Sequence, residues 1–247
     1  MTDPGERLFA RYAHAPNALG YCGPAAALGL QQVACGDGDD VDVRRLAQQF
    51  SGAWPYQQMM AGLAGVGVDP LSEQVGRAYW TGNDLTRSLD AGRLGELLLE
   101  RFAGQAGHYW THLTDELLAE VTPTHVFHVL GVYPWSRLLS TGLPEPLRVL
   151  DSCRIRTAEV LEVDHDGALV RADTLTWDGR FLGLSSPREE RVARRTPAGT
   201  FTDPLEPGDR VALHWGFVCD RLPAAESGEL LGWTERQVEL TNVRLSR

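Results

Sequence analysis

The stretch EPGDRVALHWGFV, residues 206–218, combines a tight turn with a strand. Its Pro-Gly-Asp segment favours a turn, because proline presets one backbone angle and glycine accepts left-handed conformations. The residues that follow, from Val211 to Phe217, have the apolar and aromatic character of a strand. His214 lies within this run and Gly216 lies near its end. The stretch therefore predicts a strand that begins at a turn and places a histidine in a sheet.

Further short strands and tight turns precede this stretch. Residues 153–163, 168–172 and 181–184 have strand-like patterns. The dipeptides Asp166-Gly167 and Asp178-Gly179 lie between these runs, and such dipeptides are a strong local signal for a hairpin. Many short strands linked by tight turns are typical of a small barrel. After Leu222 the pattern becomes helical, so we expect a final helix.

The first part of the chain has the periodicity of helices. Leu8, Phe9 and Tyr12 share one helical face, and residues 43–50 and 85–102 repeat the pattern. Residues 126–133, VFHVLGVY, are instead β-branched and aromatic, which favours a buried strand. We therefore expect an α+β protein with a mainly helical domain over residues 1–146. Residues 147–247 are expected to form a small β-barrel with a C-terminal helix.

Composition limits the classes of partner. The chain has 247 residues and a formal net charge of −10, and an acidic protein repels the phosphates of nucleic acids. No apolar run approaches the roughly 20 residues that a membrane-spanning helix needs, and the N-terminus lacks a signal-peptide pattern. The four cysteines have no paired CxxC spacing, which favours free thiols. We therefore expect a cytoplasmic protein with no nucleic-acid partner and no membrane span.

The C-terminal part resembles the HypC family of [NiFe]-hydrogenase maturation chaperones. The resemblance covers roughly residues 150–240, and residues 208–217 match the strand motif GD-x-V-x-x-H-x-GF. It implies a HypC/OB-like β-barrel that binds an iron precursor, Fe(CN)2(CO), with Cys153 as the thiolate ligand and His214 as its helper. A soft thiolate suits low-valent iron, and an imidazole can ligate the iron or donate a hydrogen bond. The simpler alternative is that Cys153 is a small buried apolar residue and His214 a barrel-wall histidine.

The whole chain also resembles an uncharacterised family, mainly of actinobacteria, that accompanies [NiFe]-hydrogenase gene sets. The stretches that carry this resemblance are LFARY (8–12), PNALGYCGP (16–24), GAWPY (52–56), AYWTGN (78–83), FHVLGVYPWSRLL (127–139), 150–156 and 214–222. The resemblance implies that the partners are the hydrogenase large-subunit precursor or other maturation proteins, and that any iron is bound transiently. It favours a non-catalytic accessory factor over an enzyme.

A second interpretation starts from the stretch GYCGP, residues 20–24. With a later histidine and a Val-Leu-Asp segment, it resembles papain-like bacteriocin-processing peptidases. The resemblance implies a catalytic triad of Cys22, His128 (or His125) and Asp151. A cysteine at a helix N-terminus has its thiolate stabilised by the helix dipole, and a neighbouring histidine can activate it. The glutamine that these enzymes place upstream is absent, so a thiol hydrolase is the alternative to the accessory factor.

Several histidines lie between the two candidate sites in the sequence. His112, His125 and His128 could form, with Cys22, a cofactor or metal pocket between helices. For any one of these histidines, a buried side chain that donates to a backbone carbonyl is the simpler explanation. A third functional hypothesis is a structural adaptor of the hydrogenase complex that holds no metal.

Overall fold

The computed structural model describes residues 3–103 and 115–246. Helices occupy most of the chain before residue 154, and one more helix lies at the C-terminal end. They are α1 (Pro4–Ala18), α2 (Ala27–Cys35), α3 (Val43–Ala47), α4 (Ala53–Ala64), α5 (Glu73–Trp80), α6 (Asp84–Ser88), α7 (Ala91–Ala103), α8 (His125–Phe127), α9 (Pro144–Cys153) and α10 (Ala224–Leu245). Two 3-10 helices, Asp115–Glu120 and Pro134–Thr141, and a π-helical turn, His128–Val132, complete the helical part.

The strands follow α9 and precede α10. They are β1 (Arg156–Val163), β2 (Gly167–Ala172), β3 (Leu175–Trp177), β4 (Leu182–Leu184), β5 (Arg188–Ala193), β6 (Arg195–Thr196), β7 (Gly199–Thr200), β8 (Arg210–His214) and β9 (Phe217–Leu222). Five of them form one mixed sheet in the order β1-β2-β5-β9-β8, and pairing of β8 with β1 closes it into a barrel. The α+β class, the helical N-terminal region and the final helix are thus confirmed.

Local turn chemistry and small apolar residues build the barrel. The β1–β2 turn is held by Asp164, whose carboxylate accepts a hydrogen bond from the Gly167 amide at 2.7 Å. At the β3–β4 turn the Asp178 carboxylate accepts from Phe181 N at 2.7 Å, and Gly179 has a φ of 99°. Both predicted hairpins are therefore present. The barrel interior contains Ala158, Val160, Ala168, Val170, Ala172, Val192, Leu205, Val211, Leu213 and Val218.

The prediction of a buried strand over residues 126–133 is wrong. This segment is helical: α8 continues directly into the π-helical turn His128–Val132. The Tyr133 amide donates to the His128 carbonyl at 2.9 Å, the i to i+5 bond of a π turn. Residues 125–132 are all buried. A segment that is apolar on every side has no periodicity to separate strand from helix, and packing among helices overrides its β propensity.

The expectation that Cys153 opens a strand is also wrong. Cys153 is the last residue of α9, and β1 begins only at Arg156. Pro144 occupies the first turn of this helix, where a proline is favoured because it has no amide that needs a partner. The predicted boundary at residue 146 falls within α9. The division into two domains stays a prediction.

The helical region and the barrel share one hydrophobic core. The buried cluster that contains Phe9 and Tyr12 of α1 also contains Ala212 of β8, Phe217 of β9 and Leu230 of α10. A buried ionic contact supports this junction. The Asp220 carboxylate accepts from Arg11 at 3.0 Å and from Arg77 at 3.3 Å.

The described helices are short or carry charged side chains. The longest, α10, has 22 residues but carries charged side chains along its length. No helix within residues 3–103 and 115–246 combines the length and the apolar character needed to cross a bilayer.

Candidate metal centre

A cavity of about 330 Å³ lies between the helical region and the barrel. We call it the Cys/His cavity, because two cysteines and three histidines line it: Cys22, His125, His128, Cys153 and His214. The other lining residues are Ala13, Pro16, Tyr21, Phe50, Gly52, Ala53, Trp80, Tyr133, Pro134, Trp135, Val149 and Trp215. The two sites that the sequence predicts separately, one around Cys22 and one around Cys153, therefore form a single site.

Three of these residues form what we call the ligand cluster: His125, Cys153 and His214. One potential ligand atom from each lies within 4.8 Å of the other two. Metal ligands at about 2.0–2.3 Å from a zinc-like ion are separated from one another by no more than about 4.6 Å. The cluster is thus close to the spacing of a metal site. Its members come from α8, from the end of α9 and from the end of β8.

His214 is oriented as a metal ligand. Its Nδ1–H donates to the carbonyl of Tyr12 at 2.7 Å, and its Nε2 is buried without a hydrogen-bond partner in the described part of the chain. Metal-binding histidines commonly donate the second ring nitrogen to a carbonyl in this way, which fixes the tautomer and the ring orientation. Burial lowers the pKa of His214 to about 4. At neutral pH its Nε2 lone pair is therefore available.

His125 carries hydrogen bonds on both ring nitrogens. Nε2 lies 3.0 Å from the Cys153 carbonyl, and Nδ1 lies 2.9 Å from the hydroxyl of Tyr79. Since a carbonyl only accepts, Nε2 carries the proton and Nδ1 accepts from Tyr79. Ligation through Nε2 requires the other tautomer, in which Nδ1–H donates to the tyrosine oxygen. Burial, with His214 and His128 nearby, lowers the pKa of His125 well below its usual value.

Cys153 is held from two sides. The carbonyl before it, that of Ser152, accepts from the backbone amide of Trp215 at 2.9 Å. Its own carbonyl accepts from His125. Burial, and secondarily the nearby Cys22, raises the pKa of the Cys153 thiol to about 12. The free thiol is thus protonated at neutral pH, and a bound cation would displace that proton.

Cys22 lies in the loop between α1 and α2. Because α2 begins only at Ala27, the expectation that Cys22 opens a helix is wrong. The Asn17 amide holds the loop by donating to the Cys22 carbonyl at 2.8 Å and to the Pro24 carbonyl. Burial raises the pKa of the Cys22 thiol to about 12. Within residues 3–103 and 115–246, Cys22 is not at a helix N-terminus, and His128 makes no hydrogen bond with its thiol.

The triad of Cys22, His128 and Asp151 is not assembled. Both ring nitrogens of His128 lack hydrogen-bond partners among the described residues, so His128 is bonded to neither Cys22 nor Asp151. The Asp151 carboxylate instead accepts from the guanidinium of Arg154 at 3.0 Å and from the Leu175 amide at 2.8 Å. Arg154 is only 1% exposed, and a buried guanidinium requires such a partner. This requirement turns Asp151 away from the cavity.

The remaining predicted site residue, His112, lies outside the described residues. His128 does belong to the cavity: it is 1% exposed, and burial lowers its pKa to about 3. Asn17 and Tyr79 hold the Cys22 loop and His125 in place through hydrogen bonds, and the sequence did not predict this role for either residue. They lie within the stretches PNALGYCGP and AYWTGN, but nothing in those letters indicates that their side chains contact the Cys22 loop and His125.

Two aromatic rings lie where the cavity approaches the surface. Tyr21 is 48% exposed, and its ring stacks on that of Trp215 with centroids 3.8 Å apart. Trp215 has a φ of 52°, a left-handed conformation that a bulky residue adopts only when its surroundings impose it. The tight turn between β8 and β9 imposes it, and thereby places the indole ring over the cavity.

The fold and the site define an α+β protein in which helices and a small barrel enclose a cavity rich in cysteine and histidine. The chain belongs to a family of unknown function (DUF6390), which matches residues 1–247. No curated protein and no solved structure matches it. The description of the family assigns no activity, so the function has to be argued from the Cys/His cavity.

Proposed function

We propose that this protein is a HypC-like accessory factor of [NiFe]-hydrogenase maturation that carries an iron precursor in the Cys/His cavity. The observation that supports this proposal is the ligand cluster, with its three potential ligand atoms within 4.8 Å of one another. Two of its members, Cys153 and His214, are the residues that the HypC resemblance assigns to iron. The partner that receives the iron is the hydrogenase large-subunit precursor or another maturation protein.

The donor set suits a soft or borderline transition metal. A thiol and neutral imidazoles favour iron, zinc or copper over magnesium and calcium, which prefer oxygen ligands. The buried Nε2 of His214 has no partner in the described protein and is therefore free to bind a cation. The volume of about 330 Å³ greatly exceeds the space of one ion, given that a water occupies about 30 Å³. An iron that carries small ligands of its own would fit.

Although Cys22 and His128 line the same cavity, their protonation and hydrogen bonding disfavour the thiol-hydrolase alternative. Nucleophilic cysteines need a lowered pKa or an adjacent base. In this protein burial raises the pKa of Cys22 to about 12, and His128 does not contact it through a hydrogen bond. The metal-free adaptor makes a separate prediction: its association with hydrogenase subunits would survive replacement of all four cysteines.

Iron analysis and infrared spectroscopy test the proposal. The full chain is purified from cells that also express the hydrogenase maturation proteins. We expect bound iron together with cyanide and carbonyl stretching bands. Cys153→Ala should lose both signals. Cys35→Ala is the matched control and should keep them, because Cys35 does not line the cavity. Absence of the bands from the wild-type protein, or their persistence in Cys153→Ala, would contradict the proposal.

A further inference from the structure

The wall of the Cys/His cavity contains no carboxylate among the described residues. Its side chains are aromatic, aliphatic, histidine or cysteine. A histidine binds a metal as the neutral imidazole, so the histidines contribute no negative charge. Cys22 and Cys153 are therefore the soft groups of this wall that become anionic when they bind a metal.

Charge balance decides how many thiolates a bound ion needs. A divalent ion held by one thiolate and neutral imidazoles leaves one uncompensated positive charge in an apolar cavity. Burying such a charge is strongly unfavourable. Two thiolates with two imidazoles make the site neutral, and this Cys2His2 set is common in tetrahedral metal sites. The cluster of His125, Cys153 and His214 provides only one of the two thiolates.

Cys22 is the second thiol of the same cavity. It lines the cavity together with Cys153, although it lies outside the 4.8 Å cluster. The loop that carries it has glycines in left-handed conformations on both sides, Gly20 at a φ of 78° and Gly23 at 75°. Next to Cys22, Tyr21 is half exposed. Because Cys22 lies outside the cluster, its ligation requires this loop to move toward Cys153.

We propose that Cys22 is the second thiolate ligand of a divalent transition-metal ion that enters the cavity without cyanide or carbonyl ligands of its own and that Cys153, His125 and His214 also bind. This inference rests on the metal-carrying function proposed above, and it adds a ligand from the helical region that the HypC resemblance does not include. On binding, each thiol gives its proton to the solvent as its sulfur donates an electron pair to the metal. The α1–α2 loop then becomes tied to α9 and β8 through the metal.

A sulfur count on the metal-loaded protein tests this inference. The purified full chain is loaded with Co²⁺ alone, and X-ray absorption together with the thiolate-to-cobalt charge-transfer band gives the number of sulfur ligands. We expect two sulfurs in the wild-type protein. Cys22→Ser should retain one sulfur and about half of the band intensity, since the band scales with the number of bound thiolates. Cys35→Ser is the matched control and should leave both signals unchanged.

One sulfur ligand in the wild-type protein, with His128 as the fourth ligand, would overturn the inference and leave the metal-carrying function intact. An unchanged cobalt spectrum in a folded Cys22→Ser protein would also overturn it. If the wild-type chain binds no cobalt, the inference falls, and the iron and infrared experiment decides the proposed function separately. The wild-type sulfur count needs no variant, so misfolding of Cys22→Ser cannot obscure the result.

Discussion

At the scale of single residues, two buried histidines of the cavity differ in whether a ring nitrogen is left without a hydrogen bond and is thus available to a metal. His214 donates Nδ1–H to the Tyr12 carbonyl and keeps Nε2 free. His125 instead uses Nε2–H to bind the Cys153 carbonyl, and Tyr79 occupies its Nδ1. His214 is thus a preformed ligand, whereas His125 must exchange tautomers. The Tyr79 hydroxyl makes this exchange favourable, because it can either donate to Nδ1 or accept from it.

Tyr79→Phe should therefore weaken metal binding without unfolding the protein. Loss of the hydroxyl removes the acceptor that stabilises the metal-binding tautomer of His125, and loss of such outer contacts typically costs about 10–100-fold in affinity. Titration with Co²⁺ measures the change. Tyr56→Phe is the matched control, since Tyr56 is equally buried but its hydroxyl has no hydrogen-bond partner among the described residues. Equal affinities of the two variants would contradict this role of Tyr79.

Metal affinity should rise with pH across the neutral range. The Cys153 thiol has its pKa raised to about 12, so it is protonated throughout that range and a metal must displace the proton. Each unit of pH then increases the apparent affinity about tenfold for each thiol displaced. The histidines add no such dependence, because burial holds the pKa of His214 at about 4. Competition titrations at several pH values measure the slope. A flat profile, or one that levels off near pH 6.5, would contradict the prediction.

At the scale of elements, irregular helix ends bring the ligands together. His125 and His128 are three residues apart on a helical segment that ends in a π turn, so both reach the cavity. Such π turns are frequent at functional sites. The C-terminus of α9 brings Cys153 to the same place, and the backbone bond from Trp215 to Ser152 fixes it against the β8–β9 turn.

Gly52→Ala tests the packing of α4 against this helical segment. A Cβ at Gly52 would lie 2.8 Å from Nε2 of His128, which is buried. Overpacking of this kind typically lowers the free energy of unfolding by about 1–3 kcal/mol. Gly62→Ala, inside the helix that Gly52 precedes, meets no atom within 4 Å and is the matched control. It should stabilise the protein by about 0.5–1 kcal/mol, because alanine is the better helix former. Chemical denaturation measures both variants, and equal effects would contradict the packing described.

At the scale of the whole molecule, the cavity exists only where the two parts of the chain meet. Phe217 and Leu230 pack into the cluster that contains Phe9. Asp220 of the barrel pairs with Arg11 and Arg77 of the helical region. The proposed metal ligands likewise come from both parts. Folding and metal binding are therefore expected to depend on the complete chain.

A fragment of residues 147–247 should fail to fold as a stable barrel. It would expose the apolar side of β8 and β9 and leave Asp220 without its arginine partners, and breaking a buried pair costs about 3–5 kcal/mol. The full chain should unfold in one cooperative transition. Circular dichroism and calorimetry measure both properties. Two separate thermal transitions, or a fragment with dispersed amide signals in its NMR spectrum, would contradict the shared core.

The turns, strands and helix starts that depend on neighbouring residues can be predicted from the sequence. The turns at Asp166-Gly167 and Asp178-Gly179 follow from neighbouring residues. So does the strand that carries His214, although it ends at His214 and a turn at Trp215 and Gly216 separates it from Phe217. The helix that ends at Cys153 also had a local signal, because Pro144 is favoured at a helix start. The convergence of Cys22 and His214 had none, since only tertiary packing brings these distant residues to one cavity. The triad with Asp151 is not assembled for a different reason: Asp151 pairs with Arg154, which is only three residues away in the sequence.

The central claim is that the Cys/His cavity binds a transition metal through the ligand cluster. Anomalous X-ray scattering from crystals of the iron- or cobalt-loaded protein tests it most directly. The account predicts one metal peak inside the cavity, at about 2.3 Å from Cys153 Sγ and about 2.0–2.1 Å from His214 Nε2, the bond lengths usual for such ligands. A metal peak elsewhere on the protein, or a cavity without metal after loading, would contradict it.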